Sequence, residues 1–241
     1  MLVKRTVGGP ASQPGVRKRP SARRGPASFL NNALAAIKSF DGAGLVQTLN
    51  LASTELTRPA FLRQTVAPLI EQIGIYWQSG QIAAIQEHLA TAVIRTFLGN
   101  LLHPKALGKG APRIVFTTTP AELHELGALL AAATADYQGW EAIYLGPSLP
   151  SDAIARGVRL SRARAVGLSI VYPEGPYGLE AELKRLRLLL PPKVVLFTGG
   201  RAVSAYRSVL NEIEAIQLQD LSAFCAALGT LFRKQKNQKG S

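Results

Sequence analysis

Three groups of residues in the second half of the chain have metal-binding or small side chains, and each follows or ends a predicted strand. His124 comes shortly after the apolar, β-branched run Arg113–Thr118. Ser169 lies late in a second such run, and Gly199-Gly200 follows a third. An imidazole can ligate a metal or carry a proton, and small residues let a ligand approach the backbone closely. These residues predict a binding site if the fold brings the three groups together.

The region that must position them, about residues 111–232, alternates strands with helices. This alternation predicts a five-stranded, doubly wound parallel sheet of the flavodoxin-like type, with helices on both faces. Right-handed crossovers place the carboxyl ends of all the strands at one edge, where such sheets bind ligands, so the three groups should meet there. The predicted strands are Arg113–Thr118, Glu141–Leu145, Ala165–Val171, Lys193–Thr198 and Glu214–Leu218, and the helices are Glu122–Tyr137, Ser151–Ser161, Leu179–Leu190, Ala202–Asn211 and Leu221–Phe232.

The preceding region, about residues 29–104, has helical spacing and no strand pattern. Apolar residues recur there at intervals of three and four, which predicts four helices in a small antiparallel bundle, the α part of an α + α/β fold. Asp41 and Thr57 are expected to cap the second and third helices, and Pro68 should kink the third or mark an irregular turn in it. The predicted helices are Phe29–Phe40, Asp41–Ala52, a third from Thr57 to Ser79-Gly80, and a fourth from Gln81 to Leu101.

The net charge of +13 is concentrated at the two ends of the chain. Residues 1–28 contain seven Lys or Arg residues and 233–241 contain four, with no acidic residue in either segment. Both segments are predicted to be disordered tails that either aid solubility or contact nucleic acid without sequence preference. A single cysteine argues against a disulfide scaffold, and no apolar run is long enough for a membrane helix. A cytoplasmic protein is the expectation.

The order of the groups at the sheet edge also identifies a family. No GxGxxG sequence follows the first strand and no Walker sequence is present, so neither a dinucleotide nor a nucleoside triphosphate is indicated. The segments instead resemble the Asp-x-His-x-x-Gly, Ser-x-Leu and Gly-Gly signature of domains that bind cobalamin base-off, His-on. The matching segments are Glu122-Leu-His124-Glu-Leu-Gly127, Ser169-Ile-Val171 and Gly199-Gly200.

This resemblance implies a role for each group. His124 would be the lower axial ligand of cobalt, and Glu122 is the nearest candidate in the sequence to bind its other ring nitrogen. The small residues of the signature would leave room for the displaced nucleotide tail. Taken singly, His124 could be an ordinary helix-start histidine and the glycines ordinary turns; their order and common edge favour the cofactor.

The bundle adds a second resemblance, to cobalamin-dependent photoreceptors of the CarH type. Trp77 followed by Glu87-His88 is similar to the Trp-x9-Glu-His arrangement of that family, in which the helices cover the upper face of the corrin. The resemblance implies that Trp77, Glu87 and His88 surround an upper adenosyl group, although a core tryptophan and a polar helix position are the ordinary alternatives. The family has a His directly after the Trp, where this chain has Gln78. After loss of the adenosyl group, either His88 or His103 would become the second ligand, or water would take the site, or light is not the signal.

We therefore predict a cobalamin-binding sensor and not an enzyme. It would be a light-responsive photoreceptor or transcription regulator that acts through a protein partner, such as a transcription factor, or through its basic tails. A helix-turn-helix domain, which the family carries, is not expected in about 28 preceding residues. Adenosylcobalamin is the favoured form, with methylcobalamin or hydroxocobalamin as alternatives. Competing interpretations are a corrinoid methyl carrier of a methyltransferase system, the cobalamin module of a mutase, and a module of the same fold that binds haem or nothing.

Overall fold

Helices fill the first region of the chain, as their spacing predicts. The structure is a computed structural model that describes residues 24–102, 110–172 and 178–239. Residues 1–23 of the predicted N-terminal tail lie outside the described residues, and so does His103. The helices of the first region are α1 (Pro26–Lys38), α2 (Gly42–Glu55), α3 (Arg58–Phe61), α4 (Ala67–Gln78) and α5 (Ala84–Leu101).

Local sequence signals explain how these helices begin and bend. The Asp41 carboxylate accepts the Gly44 N–H at 2.8 Å, and the Thr57 hydroxyl accepts the Ala60 N–H at 3.4 Å, so both predicted caps are present. A π-helical turn, Leu62–Val66, joins α3 to α4 and lies directly before Pro68. Proline cannot donate a helical hydrogen bond, and the wider turn accommodates that loss. The predicted third helix is therefore one helix with an irregular turn.

The second region forms a parallel sheet that confirms the predicted fold class. Within the described residues the five strands lie in the order β2-β1-β3-β4-β5, all parallel, which is the flavodoxin-like order. The strands are β1 (Arg113–Thr118), β2 (Glu141–Tyr144), β3 (Ala165–Ser169), β4 (Val195–Gly199) and β5 (Ile216–Gln217). The helices are α6 (Leu126–Tyr137), α7 (Ser151–Ser161), α8 (Leu179–Leu189), α9 (Arg207–Glu212) and α10 (Leu221–Lys239), with a 3-10 turn at Val203–Tyr206.

The bundle and the sheet share part of their cores through α6. Buried residues of the bundle, including Phe61 and Leu98, belong to the same apolar cluster as Leu126 and Leu129 of α6. The burial of these side chains supplies the main attraction between the two regions. This packing holds α5 beside the loop that precedes α6, which is the loop that contains His124.

Several predicted boundaries are wrong: β3 ends at Ser169 and not at Val171, for example, and α9 begins at Arg207 and not at Ala202, after the 3-10 turn. Three others have a clear physical cause. Helix α6 begins at Leu126 and not at Glu122, because the Glu122 carboxylate binds backbone groups elsewhere in the fold. Helix α1 begins at Pro26, where a proline is well suited to the first turn, and not at Phe29. Helix α10 continues to Lys239, beyond its predicted end at Phe232, because the intervening Lys and Gln residues are good helix formers. The segment predicted to be disordered from residue 233 is therefore helical through Lys239.

Among the residues that the structure describes, no helix is both long enough and apolar enough to span a membrane.

Candidate functional site

His124 lies in the loop between β1 and α6, and a carboxylate holds one of its ring nitrogens. The Oε1 atom of Glu122 lies 2.6 Å from His124 Nδ1 and accepts the His124 backbone N–H at 3.0 Å. The Glu122 side chain is 5% exposed, whereas 45% of the His124 side chain is exposed. With Nδ1 directed at the carboxylate, Nε2 is the nitrogen placed to ligate a metal from solvent.

The other oxygen of Glu122 is fixed by the segment that leaves β3. Oε2 accepts the backbone N–H groups of Val171 at 3.0 Å and Tyr172 at 2.9 Å. Burial acts to raise the pKa of the Glu122 carboxyl, but the hydrogen bonds from His124, Tyr172 and Val171 outweigh it and lower the pKa from 4.5 to about 2. The carboxylate is therefore charged at neutral pH, orients the imidazole and increases its basicity toward a metal.

The loop that contains this pair is tied to the neighbouring strand. The Thr118 hydroxyl, at the end of β1, donates to the Glu122 carbonyl and accepts the Ser148 N–H at 2.7 Å. The Ser148 hydroxyl in turn accepts the Ala121 N–H at 3.0 Å. These bonds hold Ala121 at φ +62°, an uncommon conformation for a residue with a side chain. The loop is thus fixed at the carboxyl edge of the sheet, where the sequence predicts His124.

The small residues of the predicted signature are sites of close approach. A Cβ on Gly127 would lie 2.9 Å from the Ser169 hydroxyl oxygen. A Cβ on Gly200, which has φ +110°, would lie 2.3 Å from the Ile170 carbonyl oxygen. Gly199 is different, because its Cβ would meet its nearest neighbour only at 3.9 Å. Gly127 and Gly200 are therefore required by their close neighbours, while a Cβ at Gly199 would make only ordinary van der Waals contact.

One buried hydroxyl at the same edge of the sheet lacks a partner among the described residues. Thr198 Oγ1, at the end of β4, is buried and has no hydrogen-bond partner in the described part of the chain. Buried hydroxyls normally have partners, so this one is a polar group that a ligand at the edge could satisfy. Together with the Glu122–His124 pair, it fits a metal-containing cofactor with polar substituents.

One face of α5 is directed at the loop that contains His124. Arg95 Nε lies 2.9 Å from an oxygen of Glu125, the residue after His124, and the Tyr144 hydroxyl donates to the other oxygen. The pKa of Tyr144 is raised, first by burial and then by its bond to Glu125. Residues four apart on a helix share a face, so the face of Arg95 also includes Thr91 and Glu87.

Glu87 and His88, which are predicted to surround an upper ligand, lie on this face of α5 and beside it. The Glu87 carboxylate accepts the Thr91 hydroxyl at 2.7 Å and lies 2.6 Å from His88 Nδ1. The His88 side chain is 81% exposed. Trp77, near the end of α4, is 40% exposed and is therefore not the core tryptophan that its apolar spacing allows. Both aromatic rings are accessible to a ligand.

Gln78, which replaces the histidine of the CarH-type pattern, contacts the sheet edge directly. With its amide oxygen turned toward Arg201, that oxygen lies 2.7 Å from Nη1 and 2.9 Å from Nη2. Arg201 Nε donates to the Val171 carbonyl at 3.1 Å. The guanidinium also lies over the Tyr172 ring at 5.6 Å, and that ring lies 4.8 Å from the imidazole of His124.

Tyr172, Arg201 and Glu125 are the site residues that sequence reasoning did not identify. Each lies next to a motif residue: Tyr172 follows Val171, Arg201 follows Gly200, and Glu125 follows His124. Extending two motifs by one residue would have found Tyr172 and Arg201, and Glu125 lies inside the first motif at a position without a signature residue. The contacts that these residues make depend on the tertiary fold.

Comparison with known proteins agrees with this geometry. Residues 30–102 match the B12 binding domain family. The chain is 30% identical over 192 residues to the HTH-type transcriptional repressor CarH of Myxococcus xanthus, covering 80% of this chain and 64% of that protein. It is 24% identical over 223 residues to the HTH-type transcriptional repressor CarA of the same organism, covering 92% of this chain and 73% of that protein. The predicted resemblance to CarH is thus confirmed.

The fold is also found in a solved structure. The monomethylamine corrinoid protein of Methanosarcina barkeri superimposes with a TM-score of 0.66 and 15% sequence identity. The match covers 85% of this chain and 99% of that one. At this identity the comparison establishes the shared arrangement of helices and sheet.

Proposed function

We propose that this protein is a cobalamin-binding sensor in which His124 is the lower axial ligand of cobalt. The observation that carries the proposal is the Glu122–His124 pair, whose 2.6 Å contact fixes Nδ1 and leaves Nε2 on a half-exposed ring. A metal-bound histidine commonly has such a carboxylate on its other nitrogen. The match of residues 30–102 to the B12 binding domain supports the same cofactor from the other side of the site.

The residues of the chain would act as a frame for the cofactor. Glu122 holds the imidazole through a buried carboxylate, Gly127 leaves room for the Ser169 hydroxyl, and Gly200 leaves room for the Ile170 carbonyl. Trp77 offers an aromatic face and Glu87 a carboxylate, which suit the base and the hydroxyl groups of a nucleoside. Adenosylcobalamin is therefore the favoured form, and when bound it supplies a cobalt–carbon bond that light can cleave.

The regulatory part of the proposal is drawn from the similarity to two repressors. This chain spans 64% of the length of CarH, so we do not transfer to it the DNA-binding activity that the name of CarH implies. We propose that light changes the contact between the bundle and the sheet edge, and that a protein partner such as a transcription factor detects the change. Non-specific contact of the basic tails with nucleic acid stays a proposal of the same kind.

The lower ligand is tested by the spectrum of the purified full chain with added cobalamin. We expect the parent to bind base-off with histidine coordinated, His124→Ala to lose that signature and bind more weakly, and His88→Ala to retain both in the dark. An unchanged spectrum and affinity for His124→Ala would overturn the assignment.

Spectra of the parent before and after illumination with adenosylcobalamin then test the light response. Preference for methylcobalamin or hydroxocobalamin with rejection of the adenosyl form would instead favour a corrinoid methyl carrier.

A separate question is which group would bind the upper side of the cobalt after illumination. Gln78 is a poor cobalt ligand beside an imidazole, and His88 is accessible with its Nδ1 held by Glu87. If the illuminated parent shows two coordinated imidazoles and His88→Ala shows one, His88 is the second ligand. If both show one, the signal must arise from loss of the adenosyl group and movement of the bundle.

A further inference from the structure

Arg201 uses all three nitrogens of its guanidinium to join the bundle to the segment that holds His124. Nε donates to the Val171 carbonyl at 3.1 Å, while Nη1 and Nη2 lie 2.7 and 2.9 Å from the amide oxygen of Gln78 on α4. A planar guanidinium can satisfy both sides at once because its donors form a rigid fork. Lysine has one nitrogen and could not reproduce this geometry.

The sheet side of this contact leads directly to the candidate ligand. The Val171 and Tyr172 N–H groups hold Glu122, and the Tyr172 ring lies between the guanidinium and the His124 ring. Any displacement of Arg201 therefore acts on both the carboxylate and the aromatic neighbour of the imidazole.

The bundle side of the contact brings α4 close to the same edge. A Cβ on Gly74, one turn before Gln78, would lie 3.9 Å from Arg201 Nη1, which is ordinary van der Waals distance. Two positions of α4 thus face one arginine side chain. The guanidinium is therefore within van der Waals reach of α4 at Gly74 as well as hydrogen-bonded to it at Gln78.

We infer that Arg201 is a positioning residue that couples α4 to the His124 loop, and that its contact with Gln78 opposes cofactor binding. The second part rests on the proposed function, since a macrocycle bound by His124 and covered by the bundle requires the space that Arg201 and Gln78 span. The protein must then open this contact before it binds cobalamin. A state that is closed in this way lowers the apparent affinity in proportion to its population.

The first test uses amide hydrogen exchange of the cofactor-free full chain. Gln78→Leu and Arg201→Lys should each accelerate exchange about threefold to tenfold, both in the last turn of α4 and at residues 171–172, as expected for loss of an exposed, bidentate contact. Gln78→Glu preserves the contact and should not accelerate exchange. The matched controls are Gln47→Leu on the exposed side of α2 and Arg156→Lys on α7, which should leave both segments unchanged. Acceleration confined to the mutated segment, or none, would overturn the coupling.

The second test measures binding of hydroxocobalamin to the same variants. Gln78→Leu should bind about threefold to tenfold more tightly than the parent, and Gln78→Glu more weakly, because a carboxylate strengthens the bond to Arg201. The double variant Gln78→Leu/Arg201→Lys should gain no affinity beyond that of Gln78→Leu, since the contact with Gln78 is already broken and the bond from Arg201 to the Val171 carbonyl is lost as well. Equal affinities for the parent, Gln78→Leu and Gln78→Glu would show that the Arg201–Gln78 contact does not oppose cofactor binding, while the proposed function stands. Absence of binding in every variant, the parent included, would overturn both the proposed function and the claim that the Arg201–Gln78 contact opposes binding. The exchange result would still decide whether Arg201 couples α4 to the His124 loop.

Discussion

Replacing Glu122 by glutamine tests whether a charged carboxylate, and not simply a hydrogen-bonding side chain, holds the His124 loop. A glutamine keeps one acceptor oxygen but presents an amide group to the second set of donors. Whichever way the amide turns, its NH2 group faces backbone N–H donors: those of Val171 and Tyr172, which lie 3.0 and 2.9 Å from Oε2, or that of His124, which lies 3.0 Å from Oε1. Buried donors without an acceptor destabilise a fold, so the variant should be less stable even with its volume unchanged.

The size of the effect follows from the pKa of the carboxyl. A fall from 4.5 to about 2 corresponds to about 3 kcal/mol of unfolding free energy at neutral pH, at roughly 1.4 kcal/mol per pKa unit. The folded-state pKa is below the unfolded value, so this stability is fully present above pH 4.5 and is lost as the pH falls toward 2. Glu122→Gln does not titrate there. The difference between parent and variant should therefore shrink across that interval.

Urea unfolding of the cofactor-free chain, followed by circular dichroism at pH 7, 4.5 and 3.5, measures the difference. Glu180→Gln, which neutralises an exposed carboxylate in the first turn of α8, is the control and should change the unfolding free energy by about 0.5 kcal/mol or less. A difference below about 0.5 kcal/mol for Glu122→Gln at pH 7 would refute the reasoning, given that charged hydrogen bonds contribute about 1.5 kcal/mol or more each. A large difference that persists unchanged at pH 3.5 would also refute it.

Three further predictions use the same unfolding assay or simple chemistry. Gly200→Ala should destabilise the fold by about 2 kcal/mol or more through its φ of +110° and the 2.3 Å approach of a carbonyl oxygen, whereas Gly199→Ala should have a small effect; equal losses would contradict this. Gly127→Ala should be destabilising, and Ser169→Ala in the same chain should restore much of the loss, because the contact lies 2.9 Å from that hydroxyl; additive losses would contradict it. Cys225, whose pKa is raised mainly by burial, should react slowly with iodoacetamide at pH 7 and faster as the pH rises; rapid labelling at pH 7 in the folded chain would contradict it.

The sequence predicts the sheet well because its signals are local. The β-branched run Arg113–Thr118 is a strand with the predicted bounds, and Ser151–Ser161 is a helix with the predicted bounds. Errors occur where a tertiary contact competes with propensity. Glu122 is compatible with a helix, but its carboxylate accepts N–H groups about fifty residues away in the chain, which keeps it in the loop.

The site is predictable to the extent that motifs carry it. His124 and Glu122 are two residues apart, so a hydrogen bond between them can be expected from the sequence. The link from Arg201 to Gln78 cannot, because it joins two regions separated by more than a hundred residues and depends on how α4 lies on the sheet edge. Sequence comparison marks Gln78 only as the absence of a histidine, whereas the structure shows the contact that it makes.

Two arginines join the bundle to the sheet edge, and their surroundings predict how the bundle can move. Arg95 on α5 reaches Glu125, whose side chain is 10% exposed and also accepts the Tyr144 hydroxyl. Breaking that pair would leave a carboxylate buried, which is strongly unfavourable. Arg201 reaches Gln78 in a contact exposed to water, where donors and acceptors are easily resolvated. We therefore expect the α5–α6 side to stay in place when the contact at α4 opens. A bundle that moves in this way would separate α4 from the sheet edge while Glu125 stays paired with Arg95 and Tyr144.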